Sequence, residues 1–411
     1  MRWVYLMMLG LCPVAGHAEA VRPVIRPQPD ESRSDAGLQI WIAAFRPRAL
    51  KAGIAPDLYD RAMRGIGYDE KVVERDRNQS EFTKTIWDYL ATAVSDLRIA
   101  NGKAALNREM PALDAIEARY GVPREIVTAI WGLESAYGTF RGSDPVLQSM
   151  ASLAYEARRA IFFEQQVIAA LTILQTGDTT LRNLTGSWAG AMGHTQFMPT
   201  SFIAHAVDWN KDGRRNIWGE DPQDALASTA AYLKANGWVT GQPWGAEVIL
   251  PEDFDYLLAN RDLRKTPAEW ASLGVLDPQG EAIREDALAS ILLPAGAEGA
   301  AFMVFDNFEV LESYNTADAY VIAVGHLADR IAGGAAFRGD WPRQDRALTF
   351  DERIELQEQL TAQGFDTQKI DAKIGPLTVN AVRQWQLSQG LVPDGYASPR
   401  VLARLREEAV R

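Results

Sequence analysis

From about Gly37 to Tyr232 apolar residues return at steps of three and four, as in LQIWIAAFRPRAL, FTKTIWDYLATAV and the stretch Ala151 to Ala160. That is the period of an amphipathic helix. A chain patterned this way must lay the apolar stripe of each helix against its neighbours, so it folds as a mainly helical body. From Trp238 to about Glu312 the texture changes. AEVILP, SILLPAG and AAFMVFDNFEVL are short, β-rich and bounded by Gly or Pro, which predicts a small sheet inserted among the helices. Helical spacing returns over Asp318 to Ala332, and AGGAAFRGDWPRQD then reads as a linker over 335–348. The tail, Thr349 to Arg411, carries a weak repeat. Asp371-Ala372-Lys373-Ile374-Gly375-Pro376 echoes Asp394-Gly395-Tyr396-Ala397-Ser398-Pro399. Each turn delivers a proline as the first helical residue, where a missing N–H does no harm. The fold class expected is mainly α (α+β): a helical core with a β-rich insertion, then a compact three-helix module.

The chain has 411 residues, 47% of them hydrophobic and 23% charged. This suits two domains, or one large domain with an appendage. A formal net charge of -12 argues against a nucleic-acid partner and against a polybasic membrane patch. The first twenty residues, MRWVYLMMLGLCPVAGHAEA, place Arg2 before an apolar run, and Ala18 and Ala20 follow in a small-x-small pattern. They read as a signal peptide cleaved after Ala20 or Ala18, with a run too short to span a bilayer. Residues 21–36 then read as a linker. The single cysteine is Cys12. Leu9-Gly10-Leu11-Cys12 loosely resembles a lipoprotein box, but Leu11 stands where a small residue is expected. The mature chain, with no thiol, would lack disulfides and cysteine chemistry. The expectation is a soluble, exported protein.

Three stretches could carry chemistry. In IWGLESAYG, Val127, Ile130, Trp131 and Glu134 share one face of a helix begun by Pro123. A carboxyl held against apolar and aromatic groups resists ionisation, which suits a general acid near neutral pH. The plainer alternative is a helix-end carboxylate that reaches solvent or a basic partner. In GSWAGAMGHTQFMPTSF, glycines allow a backbone to approach a ligand closely, and Ser187, Thr195 and Gln196 could orient one. A tight connection into a helix at Pro199 explains the same residues. In DWNKDGRRN, Asp208, Asn210 and Asp212 take positions one, three and five of an EF-hand-like loop, with Gly213 at six and the carbonyl of Arg214 at seven. Position twelve is Gly219, so a later acid such as Asp224 would have to close the site. An Asx-rich turn held by its own side chains is the alternative.

Other chemistries find no support. His194, His205 and His326 have no paired metal-ligand spacing, so a catalytic zinc is not expected and each reads as structural. There is no G-x-S-x-G elbow, P-loop or G-x-G-x-x-G.

IWGLESAYG, GSWAGAMGHTQFMPTSF, DWNKDGRRNIW and DALASTAAYLKANGW, in this order and spacing, resemble the lytic murein transglycosylase B family over about Leu38 to Gly334. The tail, with LQEQLTAQGF, IDAKIGPLTVNAVRQWQ and GLVPDG, is similar to the common peptidoglycan-binding module. The resemblance implies a lysozyme-like catalytic domain over 37–334, with its insertion at about 238–312, and a peptidoglycan-binding domain over 349–411. It implies a periplasmic enzyme that cleaves the MurNAc–GlcNAc β-1,4 bond without water and leaves a 1,6-anhydro ring. Glu134 would act first as acid and then as base. Ser187 matches a serine that orients the glutamate, and Gln196 a glutamine that lines the sugar site. Tyr232, Tyr314 and Tyr320 match aromatics of the cleft. Asp208, Asn210, Asp212, Arg214 and Asp224 match a calcium loop, although the stretch between Trp218 and Asp224 is longer than the family pattern. Ala372 stands where the module usually has glycine. No organic cofactor is implied. The implied partners are peptidoglycan glycan strands, with cell-wall enzyme complexes as a further class, and the chain is expected to be a monomer. A hydrolytic muramidase and a non-catalytic cell-wall scaffold are the alternatives that the residues leave open.

Overall fold

The structure is a computed structural model that describes residues 34–77, 84–156 and 159–409. The expected signal peptide, Cys12 and most of the adjoining linker lie outside the described residues.

The chain is mainly helical, and its larger portion is built on two apolar cores. One gathers the helices Ile86–Ala93, Asp96–Arg108, Met110–Tyr120, Arg124–Ser135, Gln223–Ala235 and Asp318–Ala332. The Arg124–Ser135 helix is buried on nearly every side, from Ile126 through Gly132 and again at Ser135, as expected of a central core helix. The Asp318–Ala332 helix packs directly against it. The second core joins the helices Asp35–Lys51, Pro56–Ala62, Val146–Tyr155, Ala160–Thr176 and Pro199–His205. Local chemistry sets many of these ends. Thr85 and Ser95 accept the amides of Asp88 and Arg98 as N-caps, and Gly121 closes the Met110–Tyr120 helix in the left-handed conformation. Tyr232 and Tyr314 pack against both cores, so they mark the seam between them.

Two short strands frame the loop at this seam. β1 (Asp144–Pro145) pairs antiparallel with β2 (Thr185–Gly186). The expected insertion holds β3 (Gly245–Val248), β4 (Ser290–Leu292) and β5 (Ala301–Val304) in an antiparallel sheet of order β3-β5-β4. A small third core around Trp270, Phe254 and Phe305 backs it. The sequence AAFMVFDNFEVL does not stay extended to its end. Its second half is the helix Asp306–Glu312, because Asp306 opens it with a negative charge at the N-terminus. Phe308 and Leu311, three apart, then point together into the first core.

The tail forms the helices Phe350–Ala362, Pro376–Ser388 and Pro399–Ala409 around Trp385, Leu356 and Leu405. The weak repeat has a structural counterpart. Gln357 accepts the amides of Asp371 and Ala372 (3.0 and 2.9 Å), and Gln386 accepts that of Gly395 (2.8 Å) while donating to Asp394 (2.7 Å). Ala372 and Gly395 hold φ of 62° and 75°, so the first turn places an alanine where the left-handed backbone favours glycine.

Candidate active site

The glutamate helix ends in an unusual turn. Ala136, Tyr137 and Gly138 follow Glu134 and Ser135 with φ of 49°, 58° and 85°. Two successive non-glycine residues in this region carry backbone strain, and side-chain contacts on both sides of the turn lock them there. The Tyr137 ring folds back over its own helix, edge-on to Trp131 (centroids 5.8 Å apart), and its hydroxyl donates to the Arg98 carbonyl at 2.8 Å. Gly132 makes room for it, since a Cβ there would stand 2.5 Å from the ring. The Ser135 hydroxyl donates to the His194 carbonyl (2.5 Å) and accepts the Gly138 amide (2.9 Å). The spacing of IWGLESAYG thus builds a rigid platform on which Glu134, half-buried, is presented.

Tyr320 reaches Glu134 from the Asp318–Ala332 helix, its hydroxyl donating to Oε1 at 2.5 Å. Burial and the neighbouring Glu134 charge hold the Tyr320 phenol well above its ordinary pKa, so it remains a donor. Tyr314 donates to the Thr195 carbonyl at 2.6 Å. Its phenol is also raised, by burial and then by Glu134, which places it within electrostatic reach of the same carboxyl. Tyr232 stands edge-on to Tyr314, 5.1 Å between centroids, and Phe197 packs against both rings. The Tyr232 hydroxyl donates to the Ser313 carbonyl (2.5 Å). Glu134, Tyr320, Tyr314 and Tyr232 therefore meet at the seam.

The loop after β2 adjoins this group, since its Thr195 carbonyl accepts the Tyr314 hydroxyl and its Phe197 packs on Tyr232 and Tyr314. Ser187 accepts the Ala191 amide on its hydroxyl (3.2 Å) and donates its own amide to the Ala191 carbonyl (2.7 Å), so the turn itself fixes the serine. Gln196, at φ 53°, donates from Nε2 to the carbonyls of Arg141 (3.1 Å) and Gly193 (2.8 Å). It ties the loop to the segment that leaves the glutamate helix.

Sequence reasoning treated His194 only as structural and missed its place as the hub between these motifs. It is buried; Nδ1 accepts the Trp131 indole N–H at 3.1 Å, and Nε2 faces the Gly219 carbonyl at 2.7 Å. An indole only donates, so the imidazole is the neutral tautomer with its proton on Nε2. Burial holds its pKa below the ordinary value. Arg141 also donates to Gly219 O (2.6 Å) and pairs with Glu220. The signal that could have exposed this hub is the polar triplet His194-Thr195-Gln196 between glycine and an apolar run.

The Asp208 loop is closed by its own amides. Asp208 accepts those of Asp212 (3.1 Å) and Gly213 (3.0 Å), Asn210 that of Asp212 (3.0 Å), and Asp212 that of Arg214 (2.9 Å). These are hard oxygen donors of the kind calcium takes. Asp224 does a different task. Buried at the start of its helix, it accepts the amides of Trp209 (2.8 Å), Asn210 (3.4 Å) and Asn216 (2.8 Å), bracing both arms of the loop. Among the described residues no three His, Cys, Asp or Glu side chains converge as a metal-binding group. Asp208, Asn210 and Asp212 fit a calcium ion in chemistry, and both carboxylate oxygens of Asp224 are taken up by backbone amides.

Comparison with known proteins agrees with this geometry. Residues 37–329 match the Transglycosylase SLT domain, and residues 351–405 a putative peptidoglycan binding domain. The membrane-bound lytic murein transglycosylase B of Escherichia coli K12 is 32% identical over 240 residues, 57% of this chain and 64% of that relative, so the match spans less than two thirds of its length. SltB3 from Pseudomonas aeruginosa, solved in complex with NAG-anhNAM-pentapeptide, superposes with a TM-score of 0.87 at 48% identity, covering 90% of this chain and 99% of that one. The Escherichia coli lytic transglycosylase Slt35, solved in complex with calcium, gives a TM-score of 0.62 at 28% identity over 72% of this chain and 93% of that one. On the profile that spans the whole helical body and on this shared architecture, the chain belongs to the Transglycosylase SLT domain family.

Proposed function

We propose that this protein is a peptidoglycan lytic transglycosylase that cleaves the MurNAc–GlcNAc β-1,4 bond and closes a 1,6-anhydro ring, with Glu134 as its only catalytic acid and base. The observation that carries this reading is the Tyr320–Glu134 hydrogen bond at the seam of the two helical cores. A phenol kept protonated fixes one carboxyl oxygen, so that the group can be aimed at a single bond. Glu134 would give its proton to the glycosidic oxygen as the C1–O bond breaks. The carboxylate left behind would take the proton of the C6 hydroxyl as that oxygen bonds to C1, which restores the acid and consumes no water. The aromatic wall of Tyr232, Tyr314 and Tyr320 favours this outcome by excluding water. Ser187 and Gln196 line the sugar site from the adjoining loop.

In the same reading residues 37–334 form the catalytic domain and 349–411 bind murein. The first twenty residues direct export to the periplasm, where the chain acts as a monomer on glycan strands. Within the described residues no helix is long and apolar enough to cross a membrane. A calcium ion held by Asp208, Asn210, Asp212 and the Arg214 carbonyl would stiffen the loop that Asp224 braces. It would raise the melting temperature, and Asp212→Ala would abolish the rise. Identical melting curves in calcium and in chelator would remove the ion from the proposal.

The deciding experiment is mass spectrometry of soluble products from purified murein sacculi. Anhydro-muramoyl ends, lost in Glu134→Gln while sacculus binding persists, are expected. Reducing ends would mean a hydrolytic muramidase, and sacculus binding without release would mean a scaffold.

A further inference from the structure

The β-rich insertion sends one arginine back toward the active site. Arg261 forks onto Glu312, with Nη1 at 2.5 Å and Nη2 at 2.7 Å, and its Nη1 also lies 3.4 Å from Asp318. The guanidinium covers the Phe308 ring at 4.9 Å. Glu312 ends one helix and Asp318 begins the next, so the two carboxylates are the anchor points of the connecting segment Ser313–Ala317. That segment carries Tyr314, and Tyr320 stands within the first turn of the second helix. We infer that Arg261 is a positioning residue for the transglycosylase reaction: its clamp on Glu312 and Asp318 holds the segment that delivers Tyr320 to Glu134.

The inference rests on the proposed function, since it gives Arg261 a part in the same reaction. Two carboxylates this close repel unless a cation or a proton lies between them. Burial and Glu312 raise the Asp318 pKa to about 6, against the opposing pull of Arg261. The charged groups that meet at Asp318 are Arg261 and Glu312, and Glu309 acts on Arg261 from the same side. With Arg261 present, Asp318 is charged above about pH 6 and the guanidinium neutralises both acids. Without it the pull that lowers Asp318 is gone, so a proton bridging Asp318 to Glu312 is held to higher pH and the two acids repel only in clearly alkaline solution.

The experiment measures release of anhydro-muramoyl product from sacculi at pH 5.5 and 9.0 for the wild type, Arg261→Met, Arg261→Lys and Arg261→Met/Glu312→Gln, each compared with the wild type at the same pH. Arg261→Met should lose at least tenfold in kcat at pH 9.0, with KM little changed. It should lose less at pH 5.5, and the second substitution should recover activity at pH 9.0 by removing one of the repelling charges. Arg261→Lys, which keeps the charge without the fork, should fall between. Equal loss at both pH values with no recovery in the double variant would overturn the positioning role and leave a merely structural arginine. So would an unchanged rate in Arg261→Met. Failure of the proposed function is seen separately, as a wild type that forms no anhydro product.

Discussion

At the scale of single residues, the candidate site joins a phenol held protonated by burial to the carboxyl of Glu134. Tyr320 contributes a ring to the core and a proton to Glu134. Tyr320→Phe separates the two contributions, because the ring stays packed while the donor is lost. A hydrogen bond to a charged group contributes about 1.5–3 kcal/mol, which corresponds to roughly tenfold to a hundredfold in rate. The expected result is that loss in kcat with a melting temperature close to wild type. A rate within twofold of wild type (about 0.4 kcal/mol) would mean that Tyr320 only fills space. How much of this the sequence revealed differs by residue. Glu134 was legible because an acid on an apolar stripe is a local anomaly. His194 was not, because its partners Trp131, Ser135 and Gly219 lie 63, 59 and 25 positions away, and no periodicity encodes such a meeting.

At the scale of elements, the Asp318–Ala332 helix bears the largest load, since it presents Tyr320 at its start and buries ten side chains or glycines against the first core. Midway along it His326 stacks on Phe337 from the segment after the helix, with centroids 3.6 Å apart. Burial, assisted by Arg330, lowers the His326 pKa to about 4. The unfolded chain takes up this proton near pH 6.5 and the folded chain only near 4. The His326 contribution to stability is therefore complete above pH 6.5 and is lost as pH falls toward 4. It amounts to about 2–3 kcal/mol by pH 4.5. His326→Phe keeps a flat ring against Phe337 and removes the titration. Urea unfolding at pH 7.5 and 4.5 should show the wild type losing about 2–3 kcal/mol more than the variant over that interval. Equal losses would mean that His326 already carries its charge in the fold. Element type was readable where a period ran long, as along this helix. It failed at DNFEVLE, where a strand pattern passes into seven helical residues with no break in apolarity.

At the scale of the whole molecule, composition does not reveal how the connection to the tail is packed. Gly and charge in AGGAAFRGDWPRQD read as a linker, and this linker is packed down: Glu247 of β3 accepts the amides of Arg338 (2.9 Å) and Gly339 (2.6 Å), and Trp341 packs on Trp87 and Phe302. The tail is fastened to the insertion as well. Asp394, in the second of its two repeated turns, accepts the Ala297 amide at 2.9 Å. Arg400 pairs with Glu298, and Arg383, buried, donates to the carbonyls of Ala259 (2.9 Å) and Pro393 (3.1 Å). One of the tail's two repeated turns is thus occupied in docking. Arg383 is the member of this contact whose loss costs most, because the buried Ala259 carbonyl would lose its donor at about 1–3 kcal/mol, whereas the exposed Arg400–Glu298 pair contributes little. Arg383→Ala should therefore loosen the tail while the helical body stays folded. Calorimetry is expected to resolve a separate, lower transition for residues 349–411 in the variant, and trypsin should cut faster in the 335–348 connection, at Arg338, Arg343 or Arg346. A single unchanged transition with an unchanged cutting rate would mean that Arg383 is dispensable and that the linker packing, Asp394 and Arg400 hold the tail.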